Sequence, residues 1–134
     1  MCVFCRIANG EIPAYKIYED KDFIAFLDIS QATIGHTLIV TKEHFDNIFT
    51  LNANLAEHMG KLIVQLANHL NSVLKTENIN LVNNSGALAG QTINHFHLHL
   101  IPRYKNDGIT IKFNKNKLSP ADFKDLCTKL NLIE

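Results

Sequence analysis

The stretch His95-Phe96-His97-Leu98-His99-Leu100-Ile101 decides how this chain is read. Polar and apolar residues alternate with a period of two, the pattern of a half-buried β-strand whose successive side chains point to opposite faces. Phe96, Leu98 and Leu100 then belong to a core, while His95, His97 and His99 form a row of imidazoles about 6.6 Å apart on the other face. With seven histidines in 134 residues, three at alternate positions are expected by chance roughly 0.02 times, so composition does not account for the row. Three chemistries stay open on pattern alone: ligands for a metal, a nucleophile with supporting donors, or the polar face of an edge strand. The last is the weakest, because such faces normally carry Thr, Ser, Lys or Glu, and clustered imidazoles repel one another once protonated.

Working outward, residues 80–84 read as a short strand, followed by the loop 85–92 and the triad strand over about 94–101, which Pro102 stops. Upstream, residues 14–19 and 22–28 read as two strands joined by Asp20-Lys21, and residues 37–41 (Thr-Leu-Ile-Val-Thr) as a third, entered through Gly35. Residues 50–74 are the clearest helix: Leu55, Met59, Leu62, Ile63, Leu66, Leu70, Val73 and Leu74 recur at three- and four-residue spacing. His58 and His69 fall on the flanks of that stripe, at its solvent edge. Residues 2–9 read as a short helical turn closed by Asn9-Gly10. Ser119-Pro120-Ala121-Asp122 starts a last helix running to about Leu130, in which Cys127, beside Phe123, Leu126 and Leu130, reads as a core thiol. The order β, β, β, α, β, β, α predicts an α+β fold, an antiparallel sheet of about five strands with one long helix and a C-terminal helix, in a single domain over 1–134.

Composition narrows the function. Thirteen Lys+Arg balance thirteen Asp+Glu, 46% of residues are hydrophobic, and no apolar run approaches the length a bilayer requires. A membrane span and a wholly disordered chain are excluded. A balanced charge also argues against nucleic acid and anionic lipid as partners, which select a basic excess. The cysteines, Cys2, Cys5 and Cys127, are odd in number, and no apolar leader precedes them, so a reducing cytoplasmic setting is expected. Cys2 and Cys5 form a Cys-x-x-Cys pair without the preceding strand of a thioredoxin-like motif, which makes metal binding the better reading.

The chain resembles the histidine triad (HIT) family of nucleotide hydrolases and transferases, most of all its small bacterial-type members. The resemblance rests on Cys2-Val3-Phe4-Cys5, Asn9-Gly10-Glu11-Ile12-Pro13, Phe26-Leu27-Asp28-Ile29, Gly35-His36-Thr37-Leu38-Ile39-Val40 with His44 following, and Gly90-Gln91-Thr92 leading into the triad and Pro102-Arg103. It covers most of the chain. It implies that His97 attacks the α-phosphorus of a nucleotide to form a nucleotidyl-histidine that water hydrolyses, a task suited to a neutral imidazole. It implies that His99 stabilises charge on the phosphoryl oxygens and that His36 assists with phosphate contact and proton traffic. Gly90, Gln91 and Thr92 would line the phosphate, Gln91 and Thr92 as donors, with Asn84 as a further ligand contact whose register is blurred by Asn83. Asp28 would accept from the ribose hydroxyls, and Ile29, Phe4 and Ile7 would wall the base.

The same resemblance implies a structural zinc on Cys2, Cys5, His44 and His95, a closed two-thiolate, two-imidazole set, and no catalytic cofactor. The expected ligand is a purine nucleotide of the AMP or GMP type, and the expected assembly is a homodimer. Hydrolysis of nucleoside phosphoramidates is the leading activity; the alternatives are hydrolysis of dinucleoside polyphosphates, which Pro102-Arg103 favours, and a zinc-stabilised nucleotide-binding module without catalysis. Thr41 stands where the family usually has proline, a departure expected to affect loop rigidity only.

Overall fold

The structure, a computed structural model, describes residues 2–133. It contains α1 (Val3–Ala8), β1 (Lys16–Glu19), β2 (Phe23–Leu27), β3 (Thr37–Thr41), α2 (Ala53–Leu74), β4 (Ile79–Val82), β5 (His97–Pro102) and α3 (Pro120–Leu130). The five strands form one antiparallel sheet in the order β1-β2-β3-β5-β4, so β5, the strand of the histidines, lies inside the sheet and β4 lies at its edge. The α+β architecture expected from the element order is the one observed.

The two faces of the sheet do different work. On one, Phe23, Ala25, Ile39, Phe96, Leu98 and Leu100 meet Met59, Leu62, Leu66 and Leu70 of α2 in the main core. The stripe therefore buries four of its eight members, and Val73 at its end remains 62% exposed. On the opposite face, Phe4 of α1 covers Ile24, Phe26, Leu38 and Val40. Residue alternation along β2 and β3 feeds both layers, which is why β3 is buried throughout and β2 at every residue but Leu27.

Several boundaries move for identifiable reasons. The helix expected from residue 50 starts at Ala53, because Asn52 caps it by accepting from the Asn54 amide at 2.8 Å. The triad segment enters the ladder only at His97, two residues after the first histidine. Ahead of it, the His95 amide bonds to the Ile93 carbonyl at 2.9 Å and the Phe96 amide to the Phe45 carbonyl at 2.6 Å, so these groups are satisfied outside the sheet. His58, placed by periodicity on a helix flank, sits between Asp20 and Asp22 at 3.1 Å from each carboxylate and ties α2 to the β1–β2 turn. His69 is exposed, as expected.

The reading of Cys127 as a core thiol is corrected. It is exposed, and so is every described residue from 110 onward, α3 included. Helical spacing of apolar residues shows that a face seeks cover without saying where that cover is.

Gly35 closes the β2–β3 loop at φ +95°, a left-handed conformation that costs any other residue about 1–2 kcal/mol. A Cβ there would collide with Leu74 Cδ1 and approach Pro102 Cγ to 3.3 Å. Gly35→Ala is expected to destabilise the protein by about 2–3 kcal/mol in urea unfolding, with an unchanged m-value.

Candidate active site and metal centre

The pairing of β5 with β3 sets His97 opposite Val40 and His99 opposite Leu38, which carries both imidazoles onto the face away from α2. His97 is 7% exposed, and its Nδ1 lies 2.7 Å from the carbonyl oxygen of His95. A carbonyl only accepts, so Nδ1 carries the ring proton and donates. The lone pair of neutral His97 is therefore on Nε2. The Phe4 ring stands edge-on to the His97 ring, with centroids 5.0 Å apart, and backs it from one side. Asn83 donates from Nδ2 to the His97 carbonyl at 2.9 Å and accepts from the Ser85 hydroxyl at 2.8 Å.

His36 lies just ahead of β3 and reaches His99 with Nε2 to Nδ1 at 2.9 Å. The Ala32 amide donates to His36 Nδ1 at 3.1 Å, so the proton of neutral His36 is on Nε2 and is shared with His99. His99, accepting on Nδ1, then carries its own proton on Nε2. The result is a directed relay in which a ring N–H remains available for a ligand. Asp28 Oδ2 is 3.6 Å from His36 Nε2, while its Oδ1 accepts from the Ser30 amide at 2.7 Å. Asp28, His36 and His99 together bring ligand-type atoms within 4.8 Å. The proton on His36 Nε2 occupies the direction an ion would need, so hydrogen bonding accounts for the cluster. Burial, reinforced by the neighbouring His97 and His36, lowers the pKa of His99 from 6.5 to about 4.

The loop ahead of the triad folds as a 3₁₀ turn over Ala87–Ala89 between Gly86 and Gly90, both at positive φ. Gln91, expected to donate to the phosphate, is engaged within the chain. Its Nε2 donates to the Asp46 carbonyl at 2.6 Å and the Ile93 carbonyl at 3.0 Å, and its Oε1 accepts from the Gly86 amide at 2.8 Å. A loop with few side-chain anchors uses the one long amide it has as a brace. Thr92 is exposed, and Asn84 lies beside Gly90, 3.9 Å from where a Cβ would be. The Asn84 amide has no hydrogen-bonded partner among the described residues, whereas that of Asn83 is engaged. An apolar cavity of about 310 Å³ opens nearby, lined by Phe4, Ile7, Leu38 and Ile93, with Asp28 and Ile29 at its margin. Ile29 is 87% exposed, a wall with nothing yet against it.

On the other side of Phe4, four candidate ligands converge. Cys2 Sγ lies 3.2 Å from Cys5 Sγ, 3.6 Å from His44 Nδ1 and 3.2 Å from His95 Nδ1; Cys5 Sγ lies 3.3 and 3.4 Å from the same two nitrogens. A tetrahedral zinc with bonds of about 2.3 Å to sulfur and about 2.0–2.1 Å to nitrogen has edges of about 3.4–3.8 Å, close to this set. Both rings present Nδ1 to the site and hold Nε2 elsewhere, His95 on the Thr41 carbonyl at 2.7 Å and His44 on the Asp46 carboxylate at 2.8 Å. That outer support fixes ring orientation in the way metal-bound histidines require. The residues fit the ion. Thr41, expected to affect only loop rigidity, thus orients His95, and its hydroxyl donates to the Glu43 carbonyl at 2.8 Å. Asp46 and Asn83 carried no sequence signal beyond adjacency to His44 and Asn84.

The sequence profile of the HIT domain family matches residues 9–106. The chain belongs to the HIT family. A HIT-like protein of Borreliella burgdorferi is 40% identical over 134 residues, covering 98% of this chain and 96% of its own length. An adenosine 5′-monophosphoramidase of Schizosaccharomyces pombe is 32% identical over 126 residues, covering 93% and 92%. Among solved structures, a HIT family protein of Bacillus subtilis is 36% identical with a TM-score of 0.91, covering 96% of this chain and 94% of that one. A Streptococcus mutans protein is 40% identical with a TM-score of 0.91, covering 96% and 82%. A zinc-bound histidine triad protein of Mycobacterium smegmatis is 34% identical with a TM-score of 0.77, covering 86% and 84%. No described helix is long and apolar enough to cross a membrane.

The lowered pKa of His99 has a consequence for stability. Between pH 6.5 and about 4 the unfolded chain binds a proton that the folded His99 refuses. Stability is therefore expected to fall as pH drops through that window, and the slope of Tm against pH should be shallower in His99→Gln than in the native protein.

Proposed function

We propose that this HIT protein hydrolyses nucleoside 5′-phosphoramidates and related 5′-monophosphate derivatives through a nucleotidyl-histidine on His97. The observation that carries the reading is the 2.7 Å bond from His97 Nδ1 to the His95 carbonyl, which leaves Nε2 with a lone pair on the face of the sheet away from α2. In the first step Nε2 bonds to the α-phosphorus while the bond from phosphorus to the leaving nitrogen breaks, that nitrogen taking a proton from solvent and departing as the amine. The carbonyl of His95 steadies the positive charge this places on the ring. In the second, a water oxygen bonds to phosphorus and gives up a proton to solvent as the bond from phosphorus to Nε2 breaks, so the nucleoside monophosphate departs and Nε2 regains its lone pair.

The proton on His99 Nε2 faces the phosphoryl oxygens in this scheme and offsets their developing charge. His36 keeps that proton in place by occupying His99 Nδ1. Thr92 and Asn84, uncommitted among the described residues, are the further donors we assign to the ligand. Asp28 is assigned to the ribose, and the apolar cavity bounded by Phe4, Ile7 and Ile29 to the base. Such walls read the faces of a purine more than its edges, so a purine is favoured without a strong choice between adenine and guanine. The phosphoramidase activity of the Schizosaccharomyces pombe relative supports the substrate class. The dinucleoside polyphosphate alternative loses its motif, because Arg103 spends its guanidinium on Asp107, Asn80 and the Ile109 carbonyl.

A zinc ion on Cys2, Cys5, His44 and His95 would tie α1 to the segment that orients His97. The zinc-bound Mycobacterium smegmatis relative supports this assignment. We further assign the protein to the cytosol, where free thiols persist, and to a twofold homodimer. The open edge of β4, with Leu81 49% exposed, and Val64 and Val73 on α2, both 62% exposed, are the surfaces available for it.

With an adenosine phosphoramidate, His97→Ala should lower kcat by on the order of 10³-fold or more. Rapid quenching of the native protein should yield an adenylyl adduct on His97 by mass spectrometry. A native protein that binds AMP yet forms no adduct and no product is the non-catalytic module instead. Chelation, or Cys5→Ser, is expected to lower Tm by on the order of 10 °C and to reduce kcat more than it raises KM.

A further inference from the structure

Residues 44–48 belong to no helix or strand, and His44, Asp46 and Ile48 are exposed. Phe45 is the residue among them that packs against the main core. A segment of this kind has little stability of its own and takes its order from what fastens it. Four of its five residues are fastened to the stretch 85–96. His44 meets His95 at the metal-type site, both rings turning Nδ1 to the same two sulfurs. The Phe45 carbonyl accepts from the Phe96 amide at 2.6 Å, the Asp46 carbonyl accepts from Gln91 Nε2 at 2.6 Å, and the Ile48 amide donates to the Ser85 hydroxyl oxygen at 3.0 Å.

These contacts run from the metal-type site to the loop assigned to phosphate, and Asp46 is the joint between them. Its Oδ1 holds His44 Nε2 at 2.8 Å, while its carbonyl holds Gln91, whose Oε1 takes the Gly86 amide at 2.8 Å and closes the turn 86–91. One residue therefore supports a zinc-type ligand and the brace of the loop. Ser85 makes a second joint: its hydroxyl accepts from Ile48 and donates to Asn83, whose amide holds the His97 carbonyl at 2.9 Å. Fixing one end of such a segment removes conformational freedom that binding at the other end would otherwise have to remove.

We infer that residues 44–48 couple the metal centre to the phosphate loop, so that zinc on Cys2, Cys5, His44 and His95 tightens nucleotide binding, with Asp46 and Ser85 as positioning residues. This rests on the zinc and nucleotide sites proposed above and adds a link between them. It is separate from the link through His95. The His95 carbonyl orients the His97 ring and so acts on kcat, the larger effect, whereas residues 44–48 hold the loop and so act on affinity. Coupling between two sites is reciprocal, so nucleotide tightens zinc by the factor by which zinc tightens nucleotide.

The test is calorimetric titration of the full-length protein with AMP, zinc-loaded and chelator-stripped, beside competition for zinc against a chromogenic chelator with and without AMP. Both experiments should give the same factor, about tenfold. Hydrogen exchange at the Ile48 and Gly86 amides should slow when zinc is returned to the stripped protein. In Ser85→Ala, zinc affinity without AMP should stay within about twofold of native while the coupling factor falls below about threefold. A Ser85→Ala protein in which AMP weakens equally with and without zinc shows that Ser85 only supports the fold, and it overturns the coupling. So does a native protein that binds the two ligands independently. Those outcomes leave the zinc and nucleotide sites standing, whereas a native protein that fails to bind zinc or AMP overturns the site concerned and the coupling with it. If Ser85→Ala loses its near-UV circular dichroism, the factor and the exchange rates of the native protein decide alone.

Discussion

The hydrogen bond from His97 Nδ1 to the His95 carbonyl is the constraint on which the site depends. It assigns the tautomer of the central histidine, and it can do so only because the backbone at His95 is outside the ladder. In a continuous strand that carbonyl would point along the sheet, toward a neighbouring strand or its open edge. The bonds from the His95 and Phe96 amides to Ile93 and Phe45 hold the segment in its bend, and the side chain of His95 is held by Thr41 and the two cysteines. Stability at the metal-type site and orientation at the proposed nucleophile therefore share one residue. Phe4, edge-on to both rings, makes the same link through packing.

Electrostatics follow from burial more than from charge. The chain has no net charge, and His99 stays neutral far below its ordinary pKa because it is buried beside other imidazoles. A neutral His36–His99 pair can pass a proton in one direction, with the Ala32 amide at one end and an open ring N–H at the other. A phosphate held by such donors needs no basic surface. The same economy governs the loop, where Gln91 braces the turn and leaves ligand contact to Asn84 and Thr92 in the proposed scheme.

Much of this was legible in the chain. The period of two at 95–101 and the period near 3.6 at 53–74 specify a strand and a helix by side-chain geometry alone, and Ser119-Pro120 announces a helix start by capping chemistry. The elements, their order and the division of β5 into a core face and an imidazole face were all readable. The same is true of Cys2, Cys5, His44 and His95 as one set, because the family resemblance supplies long-range pairing that local patterns lack. Thr41, Asp46 and Asn83 were not readable as supports, since each acts through a partner that only folding brings near.

The sequence by itself determined the secondary structure, the amphipathic faces and the residue types able to act on a phosphate, because these depend on near neighbours and on side-chain chemistry. Only the tertiary structure decided which nitrogen of His36, His97 and His99 carries the proton, that Asn83 is engaged, that Gln91 is a brace, and that the face bearing Cys127 finds no cover among the described residues. Each of these is a question of which groups meet across the fold. Hydrogen-bond direction and burial are properties of such meetings, and no local pattern encodes them.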